Sequence, residues 1–105
     1  MRMMYDETQE RYKITAVKTS RQLERIVKGF SNHRRIEILI LLNKSPELSL
    51  QEIADDLGIN FRTASEHTRR LSLSGLILKR YEGNVVRHVL SPQGKTILKF
   101  LRTLE

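Results

Sequence analysis

The chain has no cysteine, which excludes disulfides, thiolate metal sites and cysteine nucleophiles. It has no apolar run near the roughly 18 residues that a bilayer span requires, so no membrane partner is expected. Aromatic residues are only 6% of the whole and form no interleaved platform for stacking unpaired bases, which disfavours RNA. Five glycines are scattered at turns rather than gathered into a phosphate-cradling loop. The opening Met1-Arg2-Met3-Met4-Tyr5-Asp6-Glu7 turns acidic before a signal-peptide core could form, so a cytoplasmic protein is expected. There is no internal repeat and no low-complexity tract.

What is present in quantity is charge. The 105 residues hold 19 Lys plus Arg against 12 Asp plus Glu, a formal net charge of +7. With 39% hydrophobic residues, this is the composition of one soluble globular domain. The excess is unevenly placed. Residues 1–60 carry ten basic and nine acidic side chains, and residues 61–105 carry nine and three. A basic surface sorted in this way points to a polyanion as partner.

Residues 1–18 read as an N-terminal extension, frayed or packed on a partner, and residues 19–105 as the folded domain. Thr19 with Gln22 makes a capping box. Leu23, Ile26, Val27 and Phe30 then form one helical stripe. Ser31 or Asn32 caps a second helix, running to about Asn43. Its Ile36, Ile38, Leu39, Ile40, Leu41 and Leu42 surround the axis, as in a buried central helix. Ser45-Pro46 breaks the chain, and Leu48 fits a minimal edge strand.

Ser49 with Glu52 starts a short helix that must stop at Gly58, where a left-handed backbone is cheap. Asn60 caps a helix over 61–73. Phe61, Ala64, Thr68 and Leu71 share one face of it; Arg62, Ser65, Glu66 and Arg69 share the other. The runs Ile77–Tyr81 and Val85–Leu90, joined through Glu82-Gly83-Asn84, read as a hairpin over 77–90. Ser91 and Pro92 open a last helix over 92–104. A short helix, a tight turn, a longer helix and a hairpin make a mainly α fold with a small β-hairpin, a winged helix-turn-helix. On that reading 61–73 is the recognition helix and 77–90 the wing.

Three stretches resemble regulators of the arsenic-repressor (ArsR) type. Phe30-Ser31-Asn32-His33-Arg34-Arg35-Ile36-Glu37-Ile38-Leu39 is similar to their L-S-x-P-x-R-x-x-I-L start. Leu50–Ile59 resembles their first helix-turn-helix helix. Thr63-Ala64-Ser65-Glu66-His67, with Leu71 and Gly75-Leu76-Ile77, resembles T-V-S-x-H-L…L…G-L-V. The likeness covers residues 23–90. Thr68 stands where the family has Leu, and Leu90-Ser91-Pro92-Gln93-Gly94-Lys95 is more like the exit of MarR-type regulators. The family's metal ligands are missing, so no cofactor is implied. The resemblance implies a transcriptional regulator, a repressor blocking polymerase being the expected mode, with no readable effector. It also implies DNA contacts at the positions matching Phe61, Arg62, Ser65 and Glu66.

The chemistry of those positions agrees. A helix enters the major groove, where Arg pairs with guanine and Glu accepts from cytosine N4. Phe61, Arg62, Thr63, Ser65, Glu66, Arg69 and Arg70 are the candidates on the helix. The competing reading of Glu66 is an ion pair with Arg69 and Arg70 at i+3 and i+4. In the wing, a two-residue loop sets Arg80 opposite Arg87, and a three-residue loop sets Lys79 there instead. Either juxtaposes like charges, a cost that an intervening phosphate would relieve. Relief by Glu82 is the alternative.

Ser65, Glu66 and His67 are consecutive on a helix and cannot converge as a triad. The three histidines lack ligand spacing. No enzyme is expected. The first and last helices carry more apolar surface than one small domain needs, which points to a homodimer through Leu23, Ile26, Val27, Ile97, Leu98, Leu101 and Leu104. Two other readings remain: an architectural or replication-associated winged helix, and a winged helix used for protein interaction.

Overall fold

The computed structural model describes residues 18–105, so the reading of the extension falls almost entirely outside the described residues. The described elements follow the expected order: α1 (Ser20–Phe30), α2 (His33–Lys44), α3 (Leu50–Leu57), α4 (Phe61–Leu73), β1 (Ile77–Glu82), β2 (Val85–Leu90) and α5 (Pro92–Arg102).

Each helix starts where a short polar side chain meets an orphan N–H. The Thr19 hydroxyl accepts from the Gln22 N–H at 3.1 Å, and the Gln22 side-chain Oε1 accepts from the Thr19 N–H at 2.8 Å. Ser49 and Glu52 repeat that exchange on α3. Asn32 rather than Ser31 caps α2, accepting from the N–H groups of Arg34 and Arg35. Ser91 caps α5 and donates its own proton to the Gly75 carbonyl at 2.7 Å, tying that helix to the end of the preceding one. Caps of this kind are each worth about 1 kcal/mol.

The core is built on α2. Ile38, Leu39 and Leu42 are sealed against Ile53, Leu71, Leu76 and Ile77. The expectation that α2 is buried all round is corrected, because Ile40 is 43% exposed. It sits in an open groove with Ile36, Leu98, Leu101, Arg102 and Glu105 that no other described element fills.

Two glycines set how closely the elements approach. A Cβ on Gly29 would lie 1.9 Å from the Ser74 hydroxyl, where α1 meets the end of α4. One on Gly94 would lie 2.1 Å from the Leu76 carbonyl, where α5 meets β1.

The hairpin pairs Ile77 with Leu90, Lys79 with His88 and Arg80 with Arg87, the register of the two-residue loop. Leu48 joins as a single bridge to His88, as the minimal strand was expected to. The Glu47 N–H donates to the His88 carbonyl and the His88 N–H to the Leu48 carbonyl, both at 2.9 Å. The buried His88 ring adds a contact from Nδ1 to the Leu48 carbonyl at 2.9 Å.

α5 ends at Arg102, two residues short of the expected 104. Of the side chains expected to face a second copy, Leu98 is a correction: it is 4% exposed and belongs to the core. The helical stripe of α5 is wider than one contact face, and Leu98 points to its inner edge. Ile26, Ile97 and Leu101 pack partly against the same core. Leu23, Val27 and Leu104 stand in solvent, as does Phe100.

Candidate nucleic-acid interface

The α3–α4 corner is a helix-turn-helix made by three residues. Gly58 takes φ +66°, and its N–H closes α3 onto Ala54 and Asp55. Ile59 donates to the Ala54 carbonyl, and Asn60 receives the Thr63 N–H at 2.8 Å. A left-handed residue is needed for so sharp a reversal, and glycine takes it without a Cβ clash.

The inner face of α4 buries Ala64, Thr68 and Leu71. Thr68, where the ArsR pattern has Leu, fits because its hydroxyl donates to the Ser65 carbonyl at 3.0 Å. Phe61 belongs to the outside, not to this face: it is 51% exposed. Position 61 is the first residue of the helix, where the axis has not yet reached the core. Arg62, Glu66, Arg69 and Arg70 are also exposed, while Thr63 and Ser65 are half-buried.

Glu66 is held by both arginines that follow it. Its carboxylate accepts from Arg69 Nε and Nη2 at 3.2 and 3.0 Å, and from Arg70 Nε at 2.9 Å. The Arg69 and then the Arg70 hydrogen bonds pull its pKa down to about 2. In the free protein the ion-paired reading of Glu66 is therefore the one observed. Arg62 makes no ion pair among the described residues.

In the wing the like-charged pair is not left open for an outside anion, which corrects the charge argument made from sequence. Arg80 Nε donates to Glu47 Oε1 at 2.9 Å, with Nη2 on the same oxygen. Arg87 reaches Glu82 through Nε and Glu52 through Nη1, both at 3.3 Å. Glu82 was the alternative considered; Glu47 and Glu52 come from the loop and helix ahead of the recognition helix. They lie 33 and 35 positions from their partners, so no local pattern announces them. Glu47 itself sits at φ +67°, a conformation rare outside glycine. Lys79 makes no ion pair among the described residues.

Helix and wing together bound one open cleft of about 450 Å³, in which Phe61, Ser65 and Arg69 of α4 face Lys79, Val85 and Val86 of the hairpin. Four of the sequence-predicted residues thus meet across one concavity. Arg62, Thr63, Glu66, Arg70, Arg80 and Arg87 lie outside its lining.

Among the described residues no group of three His, Asp or Glu side chains is placed to hold a metal ion. Nor is any described helix long and apolar enough to cross a membrane. His67 is instead a structural partner of Arg35, whose Nε donates to His67 Nδ1 at 3.3 Å. Burial, then the neighbouring Arg35 charge, hold the His67 pKa below the usual value.

Residues 31–77 match the family model of winged helix-turn-helix DNA-binding domains. HlyU from Vibrio cholerae is 30% identical, with a TM-score of 0.72 over 85% of this chain and 97% of that one. The chain belongs to the winged helix-turn-helix DNA-binding family. Another winged-helix neighbour is the homodimeric DNA-binding domain (fragment 1–100) of Mb0332 from Mycobacterium bovis, a possible ArsR-family transcriptional regulator. It is 27% identical, with a TM-score of 0.72 over 86% of this chain and 89% of that chain. The HTH-type transcriptional regulator Rv0324 of Mycobacterium tuberculosis is 39% identical over 62 residues. Those residues are 59% of this chain and 27% of that protein, so the winged-helix chain spans about a quarter of this relative's length. The expected fold and the ArsR-type likeness both stand. The family model is one of DNA-binding domains; Mb0332 is described as a possible transcriptional regulator and Rv0324 as an HTH-type one.

Proposed function

We propose that the chain is a homodimeric, sequence-specific double-stranded DNA-binding transcriptional regulator that acts as a repressor. α4 enters the major groove and presents Phe61, Arg62, Thr63, Ser65, Glu66 and Arg69 to the bases. The wing follows the phosphate backbone through Lys79, Arg80 and Arg87, contacts that position the protein without reading sequence. Arg70 adds charge at the edge of the helix.

The observation that carries this reading is the shared cleft. Recognition helix and hairpin are locked into one concave surface whose two cationic ends, Arg69 and Lys79, face the same space. A duplex groove presents base edges beside its phosphate backbone, so a helix and an adjoining wing engage both at once. The dimer reading rests on the exposed Leu23, Val27 and Leu104 and on the groove beside Ile40. A two-fold dimer reads a pseudo-palindrome with half-sites about 34 Å apart, or a multiple of that.

Selection of bound duplexes from a random pool tests the whole reading. A symmetric motif with that spacing supports it. Enrichment without a motif would mark an architectural protein, and no duplex binding at low salt would leave a protein-interaction module.

A further inference from the structure

A second concavity lies on the other side of α4, between the end of α1, the start of α2 and the C-terminal half of the recognition helix. It encloses about 370 Å³ and is lined by Arg25, Lys28, Arg35, Arg69 and Arg70, with Ser74 at its edge. Five cations converge here. Among the described residues the carboxylates bonded to them are two: Glu66 on Arg69 and Arg70, and Glu24 on Lys28 at 3.1 Å. Arg25 makes no ion pair among the described residues.

Arg35 is the organised member of the set. Its Nη1 donates to the Lys28 and Gly29 carbonyls at 3.2 and 3.1 Å, and its Nε to His67. These bonds neutralise the C-terminal carbonyls of α1 and fix the guanidinium plane, while Nη2 has no partner among the described residues. Burial, and then the Arg70 charge, lower the Arg35 pKa, against the opposing pull of Glu66. A surface needing cations only for solubility would spread them. Arginine forks match the oxygens of a phosphate group two at a time, and the fixed plane of Arg35 leaves little entropy to lose on binding.

We propose that this cleft is a phosphate-binding site. The phosphate comes either from the DNA backbone beyond the reach of the recognition helix and wing, or from a free phosphorylated small molecule. The first source rests on the DNA-binding reading above; the second does not. Because Arg69 lines both concavities, an occupant of this one is in direct contact with the helix that faces DNA.

The test uses the full chain and an Arg25→Gln/Lys28→Gln variant, in which both substituted side chains are exposed and a thermal melt verifies the fold. In one arm, duplex affinity is measured against salt. Loss of backbone contacts flattens the log–log slope by about 0.9 for each phosphate released. In the other arm, inorganic phosphate is titrated at constant ionic strength while the amide shifts of Gly29 and Ser74 are followed. Saturable shifts that vanish in the variant identify a free-phosphate site. A flattened slope without such shifts identifies the DNA backbone. An unchanged slope together with no saturable shift overturns the proposal, while leaving DNA binding intact. If the chain binds no duplex at all, the functional reading fails and the phosphate titration alone decides the cleft.

Discussion

Arg80 and Arg87 stand directly opposite each other across the wing, and each is held by a carboxylate from the segment before the recognition helix. Glu47 takes Arg80 and Glu52 takes Arg87, with Glu82 reaching the latter from the hairpin itself. The like charges are tolerated because these glutamates lie among them. The wing is thereby tied to the helix-turn-helix by side chains as well as by the Leu48 bridge.

If the wing follows phosphates as proposed, that arrangement makes Glu47 a brake on DNA binding. Glu47→Gln frees Arg80 and removes a negative charge beside the backbone path, and is expected to tighten duplex binding about two- to fivefold. The pair is exposed, so its loss costs the fold little. Fluorescence anisotropy on a selected duplex checks this; weaker binding by the variant would show that the wing does not follow phosphates at this point.

The glycines separate steric from conformational cost. Gly94→Ala forces a methyl against the Leu76 carbonyl backbone, which overpacking places at about 3 kcal/mol or more. Gly58→Ala meets nothing within 4 Å but must hold φ +66°, costing about 1–2 kcal/mol. Urea titration of the two variants is expected to rank Gly94→Ala as the more damaging.

Leu98 and Leu104 lie on the same terminal segment but are expected to fail differently. Leu98→Ala opens a hole in the core and lowers stability by about 2–5 kcal/mol. Leu104→Asp, at a site 68% exposed, leaves the fold stable and weakens the dimer. Sedimentation at tens of micromolar distinguishes them. A wild-type monomer there would remove the dimer reading.

Buried His88 and half-buried His67 set a pH dependence near neutrality. Burial lowers the pKa of both His67 and His88 below the usual 6.5. The unfolded chain therefore takes up protons first, and stability is lost as pH falls through 6.5 toward the folded values. His88→Asn is expected to flatten that slope in denaturant titrations between pH 7 and 5. A slope equal to that of the wild type would count against a neutral His88 ring.

Glu66 acts in a lower window. Its pKa of about 2, against 4.5 for an unperturbed group, means that its contribution is present above 4.5 and lost as pH falls toward 2. Carboxyl chemical shifts followed from pH 6 to pH 1.5 are expected to place the Glu66 midpoint near 2. A midpoint near 4.5 would mean that the Arg69 and Arg70 bonds do not persist in solution.

Most of the architecture is legible along the chain because its signals are short-range. Thr19 with Gln22, Ser49 with Glu52 and Asn60 with Thr63 are caps separated by three residues, and Gly58 marks a stop within one. The loop length narrows the wing register to two, of which the fold takes the one with Arg80 opposite Arg87, and the outer face of α4 follows from helical periodicity. Phe61 shows the limit, since periodicity places it with Ala64 while the helix end places it in solvent.

The order of the elements, their caps and the basic character of residues 61–105 were thus determined by the sequence alone, because each depends on neighbours within a few residues. Which charges are free was decided only by the tertiary structure. Glu47 meets Arg80 across 33 positions, Arg35 meets His67 across 32, and Arg25 shares a cleft with Arg70 from another helix. Leu98 belongs to the core and Leu104 to the surface for the same reason. Coulomb energy and burial depend on distance in space, and the chain sets that distance only once α1, α2, α4 and the wing have closed on one core.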